Sequence, residues 1–112
     1  MNRRILALLV SGAALTAAAP AFATDMDSYY AGVHAWSHGS NGQLAVSDTK
    51  ADSQEVYANY ARSGQGSGEL RNSSGSGTTV YSGTDTAHYV TKIQACVAID
   101  FFPDSCTGWT YR

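Results

Sequence analysis

The amino-acid sequence predicts an all-β protein, a small antiparallel sandwich or barrel of about six or seven strands with one disulfide. After residue 23, no window of about 11 residues repeats apolar side chains at helical spacing, whereas several short stretches alternate between apolar and polar residues. Gly, Ser, Asn and Asp separate these stretches at intervals of roughly 8–12 residues, as in sandwiches and barrels. A single pair of cysteines, Cys96 and Cys106, accompanies the pattern.

The first 23 of the 112 residues have the three parts of a secretory signal peptide. A basic pair, Arg3 and Arg4, precedes an apolar stretch, which ends at the small-x-small cleavage site of residues 21–23. The apolar stretch is shorter than the roughly 20 residues that span a membrane. The sequence therefore predicts cleavage after Ala23 and a single mature domain of residues 24–112. We expect that domain to be secreted, extracellular and without stable membrane insertion.

The charge and size of the mature chain argue against several classes of function. Residues 24–112 contain five basic and nine acidic side chains, a net charge near −4. A surface of that sign does not attract nucleic acid or anionic lipid, so we expect no nucleic-acid partner. One small domain has no cleft between domains, and no Gly-x-Ser-x-Gly motif marks one serine as a nucleophile. We therefore expect no enzyme activity, no catalytic residue and no cofactor.

The clearest predicted strand runs from His88 to Asp100, and its length favours a central position in a sheet. One face of this strand carries Tyr89, Thr91, Ile93, Ala95, Val97 and Ile99. Residues 101–105 are predicted as a loop, and residues 106–111 as the antiparallel partner strand. Because the chain is expected in an oxidising compartment, its two cysteines predict a disulfide between these strands.

Shorter strands are predicted upstream of the long one. Residues 43–47 and 54–62 both alternate, and a turn at residues 48–53 separates them, which is the pattern of a β-hairpin. Further short strands are expected near residues 30–36, 68–72 and 78–82. The Gly/Ser-rich segments 63–68 and 73–77 are predicted as surface turns.

Two groups of side chains resemble metal ligands, but each has a simpler interpretation. His34 and His38 are close in sequence, yet in an extended chain their rings lie roughly 13 Å apart, so we predict no metal site there. Asp48, Asp52 and Glu55 place three carboxylates around a turn but lack the ligand spacing of a calcium loop. Asp side chains also bond to nearby backbone in ordinary turns. We predict a turn, and calcium binding there stays open.

The aromatic side chains exceed what one small core can bury, which indicates a contact surface. The strongest candidates are Phe101 and Phe102, because they occupy a disulfide-tethered loop that would hold them in place for a partner. Adjacent residues of an extended chain point in opposite directions, so one Phe can lie in the core while the other is exposed. Trp36 and Trp109 are further candidates, since Trp is frequent at interfaces and stacks on sugar rings. These four residues are the predicted binding residues.

Several short motifs occur in a fixed order along the mature chain: L-x-V-x-D-x-x-A-D at residues 44–52, G-S-G-T at 75–78 and P-D-x-C-x-x-W at 103–109. This order resembles a group of small secreted proteins of Gram-positive actinomycetes that has no assigned activity. Relatives often carry Cys at the position of Ser47 and Gly at that of Ser53, so this chain lacks a second disulfide and a turn glycine. The resemblance implies export, a sandwich fold and the Cys96–Cys106 bridge, and it transfers no catalytic residue.

These observations together predict a secreted, non-enzymatic binding protein that contacts an extracellular protein or a component of the cell envelope. Two alternatives stay open. One is a bacteriocin-like secreted toxin, because the chain is similar in style to small exported β-sandwich bacteriocins rich in Tyr and Gly; it predicts growth inhibition of competitors. The other is a small carbohydrate-binding module, which predicts co-sedimentation with insoluble polysaccharide.

Overall fold

The computed structural model describes residues 24–112, and the predicted signal peptide of residues 1–23 lies outside the described residues. Nine strands follow one another in the described chain: β1 Thr24–Tyr30, β2 Val33–His38, β3 Gln43–Asp48, β4 Glu55–Arg62, β5 Ser67–Asn72, β6 Thr79–Tyr81, β7 Val90–Ala98, β8 Ser105–Cys106 and β9 Thr110–Tyr111. The prediction of an all-β fold is confirmed. The strands outnumber the prediction because residues 24–30 form a strand of their own and the last strand is divided into β8 and β9.

The strands form two antiparallel sheets that pack face to face as a sandwich. The first sheet has the order β1-β2-β3-β6, and the second has the order β5-β4-β7-β8, with β9 also paired to β7. The predicted hairpin of residues 43–62 is wrong, because β3 pairs with β2 and β6 while β4 pairs with β5 and β7. Residues 49–54 instead carry the chain from one sheet to the other. Two alternating strands can pair in one hairpin or lie in two sheets that face each other. Both arrangements bury the apolar side of each strand, so the pattern alone did not distinguish them.

The hydrophobic core lies between the sheets and is built from small and branched side chains. Leu44 and Ile93 are the largest apolar side chains that are fully buried in it. The remaining core residues are Met26, Val33, Ala35, Val46, Val56, Ala58, Val90, Ala95 and Val97. Each large aliphatic side chain buried here contributes roughly 1.5–3 kcal/mol. Because the core is small, we expect buried hydrogen bonds and the disulfide to supply a large share of the stability.

Strand β7 occupies the predicted central position, paired with β4 on one side and with β8 and β9 on the other. Ile93, Ala95 and Val97, which alternation placed on one face, are buried in the core. Val90 is buried too, although strict alternation places it on the other face. The pairing with β4 shifts by one residue between Ala61 and Arg62, and such a bulge reverses the alternation beyond it.

Strand β1 escaped prediction because its sequence is acidic and polar. Met26 and Ser28 are buried, while Asp25, Asp27 and Tyr29 between and beside them are exposed. The hydroxyl oxygen of Ser28 accepts a hydrogen bond from the backbone N–H of Ala95 in the facing sheet, 3.3 Å away. Ser28 is therefore a buried polar residue whose hydroxyl has a hydrogen-bond partner. An apolar residue at this position would have made the alternating pattern of a strand visible in the sequence.

Candidate binding surfaces

The loop that carries the two adjacent phenylalanines lies at one end of the sandwich, beside the connector of residues 49–54. We call residues 99–104 the Phe loop. Phe101 is fully exposed and Phe102 is 70% exposed, so neither side chain enters the core. The backbone N–H of Asp100 donates to the side-chain oxygen of Gln54 at 3.0 Å, which ties the loop to that connector. Both phenylalanines therefore project into solvent from a loop attached to the fold.

Further contacts hold the second half of the Phe loop and the strand that follows it. The hydroxyl of Tyr57, on the outer side of β4, donates a hydrogen bond to Asp104. The hydroxyls of Tyr30 and Ser105 are hydrogen-bonded to each other. The predicted disulfide Cys96–Cys106 is present and links directly paired residues of β7 and β8. The loop and the strand that follows it are thus tied to both sheets, which limits the conformational entropy that the phenylalanines would lose on binding.

The backbone of Phe101 adopts a positive φ of 63°. This left-handed conformation is uncommon for a bulky residue and is usually occupied by Gly or Asn. The side chain gains nothing from packing, because it is fully exposed. A strained backbone that displays an unpacked aromatic ring is the kind of outlier that supports a functional hypothesis.

A groove of about 300 Å³ opens beside the Phe loop, between the two sheets. Tyr30, Val97 and Ile99 supply apolar walls, and Asp52 and Gln54 supply polar groups. Acidic residues outnumber basic ones around the groove and the loop: Asp52, Glu55, Asp100 and Asp104 are set against Lys50 and Arg71. This end of the molecule therefore combines exposed aromatic rings with a surrounding surface of net negative charge.

The predicted carboxylate turn is a hydrogen-bonded turn. Asp48 accepts from the backbone N–H of Lys50 at 3.2 Å, and Asp52 accepts from that of Gln54 at 3.0 Å. Glu55 forms an ion pair with a guanidinium of the neighbouring strand, at 3.0 Å. Within residues 24–112, no three His, Cys, Asp or Glu side chains are placed to hold a metal ion.

Trp36 lies in a layer of aromatic rings on the outer side of the first sheet. The ring of Tyr29 stacks on His34 with centroids 4.0 Å apart, and His34 contacts Trp36 at 4.4 Å. The Nε2 atom of His34 lies 2.7 Å from an oxygen of Asp27. The rings thus cover one another's faces, and only Tyr29 is strongly exposed among the three.

The same layer continues across the sheet to His38 and Tyr81, whose rings meet edge to face at 6.1 Å. Ala45 faces outward on β3, yet it is fully buried. Its directly paired neighbours are Trp36 on β2 and Tyr81 on β6, so these two rings exclude water from it. The aromatic layer acts as a second, thin apolar cover, and both predicted histidines belong to it.

Trp109 lies on the outer side of the second sheet, far along the chain from Trp36. The Nζ atom of Lys92 is 4.3 Å from the Trp109 ring centroid and 6.0 Å from that of Tyr111, within cation–π range. A shallow depression of about 430 Å³ lies beside it, lined by Asn59, Ser67, Gly68, Glu69, Lys92 and Trp109. The structure therefore separates the predicted binding residues into the Phe loop, the aromatic layer and this depression.

Sequence reasoning missed the residues that fix these surfaces. Tyr57 and Gln54 anchor the Phe loop, and Tyr30 anchors the strand that follows it. Asn59 and Glu69 complete the depression. Each is an ordinary strand or turn residue in the sequence. Only the pairing of strands brings them to their sites, so no local signal marks them.

In comparisons with known proteins, no family model, no curated protein and no solved structure matches this chain. The resemblance to small secreted actinomycete proteins therefore stays a prediction. Among residues 24–112, no helix is long and apolar enough to cross a membrane.

Proposed function

We propose that the chain is a secreted, non-enzymatic binding protein that uses the Phe loop to contact a protein outside the cell or in the cell envelope. The observation that carries this proposal is the exposure of two adjacent phenylalanines, Phe101 and Phe102, on a loop tied to β4 and to the connector of residues 49–54. Apolar side chains exposed to water raise the free energy of the unbound protein, and burial of these side chains in an interface removes that cost. A tethered loop spends little conformational entropy when a partner closes around it.

The surroundings of the loop define the partner's chemistry. Asp100 and Asp104 flank the two aromatic rings and the following Pro103, so a partner meets apolar and negative groups together. The complementary surface is an apolar pocket with basic residues at its rim. Anionic lipid does not offer that combination, because its charge repels the two carboxylates. A protein with a basic rim is therefore the partner that this surface favours.

The test begins with a pull-down. Immobilised, oxidised residues 24–112 are exposed to culture filtrate and to solubilised cell-envelope material, and bound proteins are identified by mass spectrometry. The same experiment is run with the double variant Phe101→Ser/Phe102→Ser. The matched control is Tyr29→Ser/Tyr81→Ser, which removes two exposed aromatic rings from the aromatic layer instead.

We expect one protein to be enriched by the wild type and the control but not by the Phe-loop variant. We also expect its capture to weaken as salt is raised, because rim charges are screened. Equal capture by all three proteins would contradict a role for the Phe loop. Capture that fails only with the tyrosine variant would move the contact to the aromatic layer.

A further inference from the structure

We propose that the depression beside Trp109 is a second binding site, which takes a neutral pyranose saccharide. It lies on the outer side of the second sheet and shares no residue with the Phe loop. Strand pairing assembles it, because Asn59 on β4 stands directly opposite Glu69 on β5 and opposite Gln94 on β7. The proposal concerns a different surface and a different ligand class from the contact of the Phe loop.

Small side chains create the space. In the neighbouring row of the sheet, Ala61 is paired with Ser67 on one side and with Lys92 on the other. Gly68 borders the depression through its backbone alone, because a Cβ built on it would point to the inner face, 2.9 Å from the hydroxyl of Tyr60. The floor is therefore low, while larger side chains stand at its borders.

Hydrogen bonds hold two acceptors of the depression in place. The side-chain N–H of Asn59 donates to Gln94 at 3.0 Å, and Gln94 in turn donates to the carbonyl oxygen of Thr107 at 3.0 Å. Glu69 accepts from the guanidinium of Arg71 through one oxygen, at 2.9 Å. The Asn59 carbonyl oxygen and the second Glu69 oxygen have no protein partner within residues 24–112. Both acceptors are thus oriented and available.

A hydrogen-bond donor, the ammonium of Lys92, is also held in place, by contact with aromatic rings. Lys92 forms no ion pair with any carboxylate of residues 24–112, and its ammonium lies against the rings of Trp109 and Tyr111. Contact with two aromatic rings restricts a side chain that is otherwise mobile. The depression therefore has a positioned donor as well as positioned acceptors.

This set of groups selects the ligand by its charge. An anion attracted by Lys92 also meets Glu69, and a cation attracted by Glu69 also meets Lys92. A neutral sugar has hydroxyls that donate to the carboxylate and the amide oxygen and accept from the ammonium. Its ring C–H groups can pack against the part of the half-buried Trp109 indole that Lys92 leaves uncovered. Ligand sites commonly combine such an apolar surface with a few placed polar groups.

The test uses the fluorescence of Trp109. The chain has two tryptophans, so the variant Trp36→Phe leaves Trp109 as the only indole reporter. This variant of residues 24–112 is titrated with neutral tetrasaccharides derived from cellulose, chitin, mannan, xylan and galactan. The charged comparisons are a chitosan tetramer, which is cationic, and a tetragalacturonate, which is anionic.

We expect at least one neutral tetrasaccharide to change the fluorescence saturably at millimolar concentration or below. Asn59→Ala or Glu69→Gln in the same background should weaken that binding roughly tenfold, because the first removes an acceptor and the second removes the charge that strengthens one. Tyr29→Ser, which lies in the aromatic layer, should leave it unchanged. Charged tetramers should bind at least tenfold more weakly than the best neutral one.

Absence of saturable binding by every neutral probe up to about 10 mM would overturn the proposal. Equal binding of neutral and charged tetramers would also overturn it, because the site would then not select by charge. Circular dichroism of each variant separates lost binding from lost folding. Neither result bears on capture of a protein by the Phe loop, since the two sites share no residue.

Discussion

The side-chain amide of Asn72 donates a hydrogen bond to the carbonyl oxygen of Val46 at 3.2 Å and thereby joins β5 of one sheet to β3 of the other. The same nitrogen donates to the carbonyl oxygen of Thr78 at 3.0 Å. The side-chain oxygen of Asn72 accepts from the N–H of Ser74 and from the hydroxyl of Thr78. A fully buried amide with all of its bonds satisfied is a clamp between the sheets.

Replacement of this clamp should be strongly destabilising. Asn72→Ala removes the four hydrogen bonds of this buried amide, and we expect the free energy of unfolding to fall by about 2–3 kcal/mol. Urea denaturation at 25 °C measures the change. Ser74→Ala is the control, because its exposed side chain takes no part in the clamp and its backbone N–H is retained. Equal stability of the two variants would show that the clamp contributes nothing.

The guanidinium of Arg62 binds backbone atoms at the end of the sandwich opposite the Phe loop. It donates to the carbonyl oxygens of Gly42, Gly83, Asp85 and His88 and to the hydroxyl of Ser82. A lysine cannot reproduce this fork of donors. We expect Arg62→Lys to cost about 1–3 kcal/mol and to speed hydrogen exchange in residues 82–89. The matched variant Arg71→Lys, whose guanidinium pairs with Glu55 and Glu69 instead, should leave exchange there unchanged; similar effects of the two would contradict the assignment.

The disulfide should stabilise the fold by restricting the unfolded chain. Cys96 and Cys106 close an 11-residue ring, for which the chain-entropy model gives roughly 2.7 kcal/mol. Cys96→Ser/Cys106→Ser should lose about that much in urea denaturation, and should also weaken capture by the Phe loop. A variant that keeps full stability would show that the bridge is energetically neutral.

Replacement of Phe101, whose φ is positive, by glycine should weaken partner binding without lowering the stability of the fold. Phe101→Gly removes a left-handed conformation that costs a bulky residue roughly 1 kcal/mol, partly offset by the greater freedom of glycine when unfolded. We expect unchanged or higher stability, by up to about 1 kcal/mol, together with weaker partner capture. Phe102→Gly, whose φ is not positive, should lose stability instead. A marked loss of stability in Phe101→Gly would show that the ring packs in solution.

Tyr57 should make the stability depend on alkaline pH. Burial and the hydrogen bond to Asp104 raise the pKa of Tyr57 to about 12, whereas an unfolded tyrosine has a pKa near 10. The folded state keeps a proton that the unfolded state releases, so this stabilisation is complete below pH 10 and is lost as the pH rises towards 12. The free-energy difference between wild type and Tyr57→Phe should therefore shrink between pH 10 and pH 12. A difference that stays constant over this range would contradict the shifted pKa of Tyr57.

Local patterns were enough to predict the elements whose neighbours in sequence are also neighbours in space. The central strand β7, its return through β8 and the disulfide between them all lie within about 20 residues of chain. Alternation placed Ile93, Ala95 and Val97 on one face of β7, and all three lie in the core. It failed at Val90, because a bulge depends on the partner strand and leaves no mark in its own sequence.

Residue spacing and composition were enough to predict an all-β chain, the course of its central strand and a disulfide-tethered loop with two phenylalanines. They did not show that β3 and β4 belong to different sheets or that the two tryptophans lie on opposite outer faces. The tertiary structure decided these points and brought Asn59, Glu69 and Lys92 together from three strands. The reason is physical: alternation states which side chains face inward, whereas the identity of the neighbouring strand depends on how the whole core is filled.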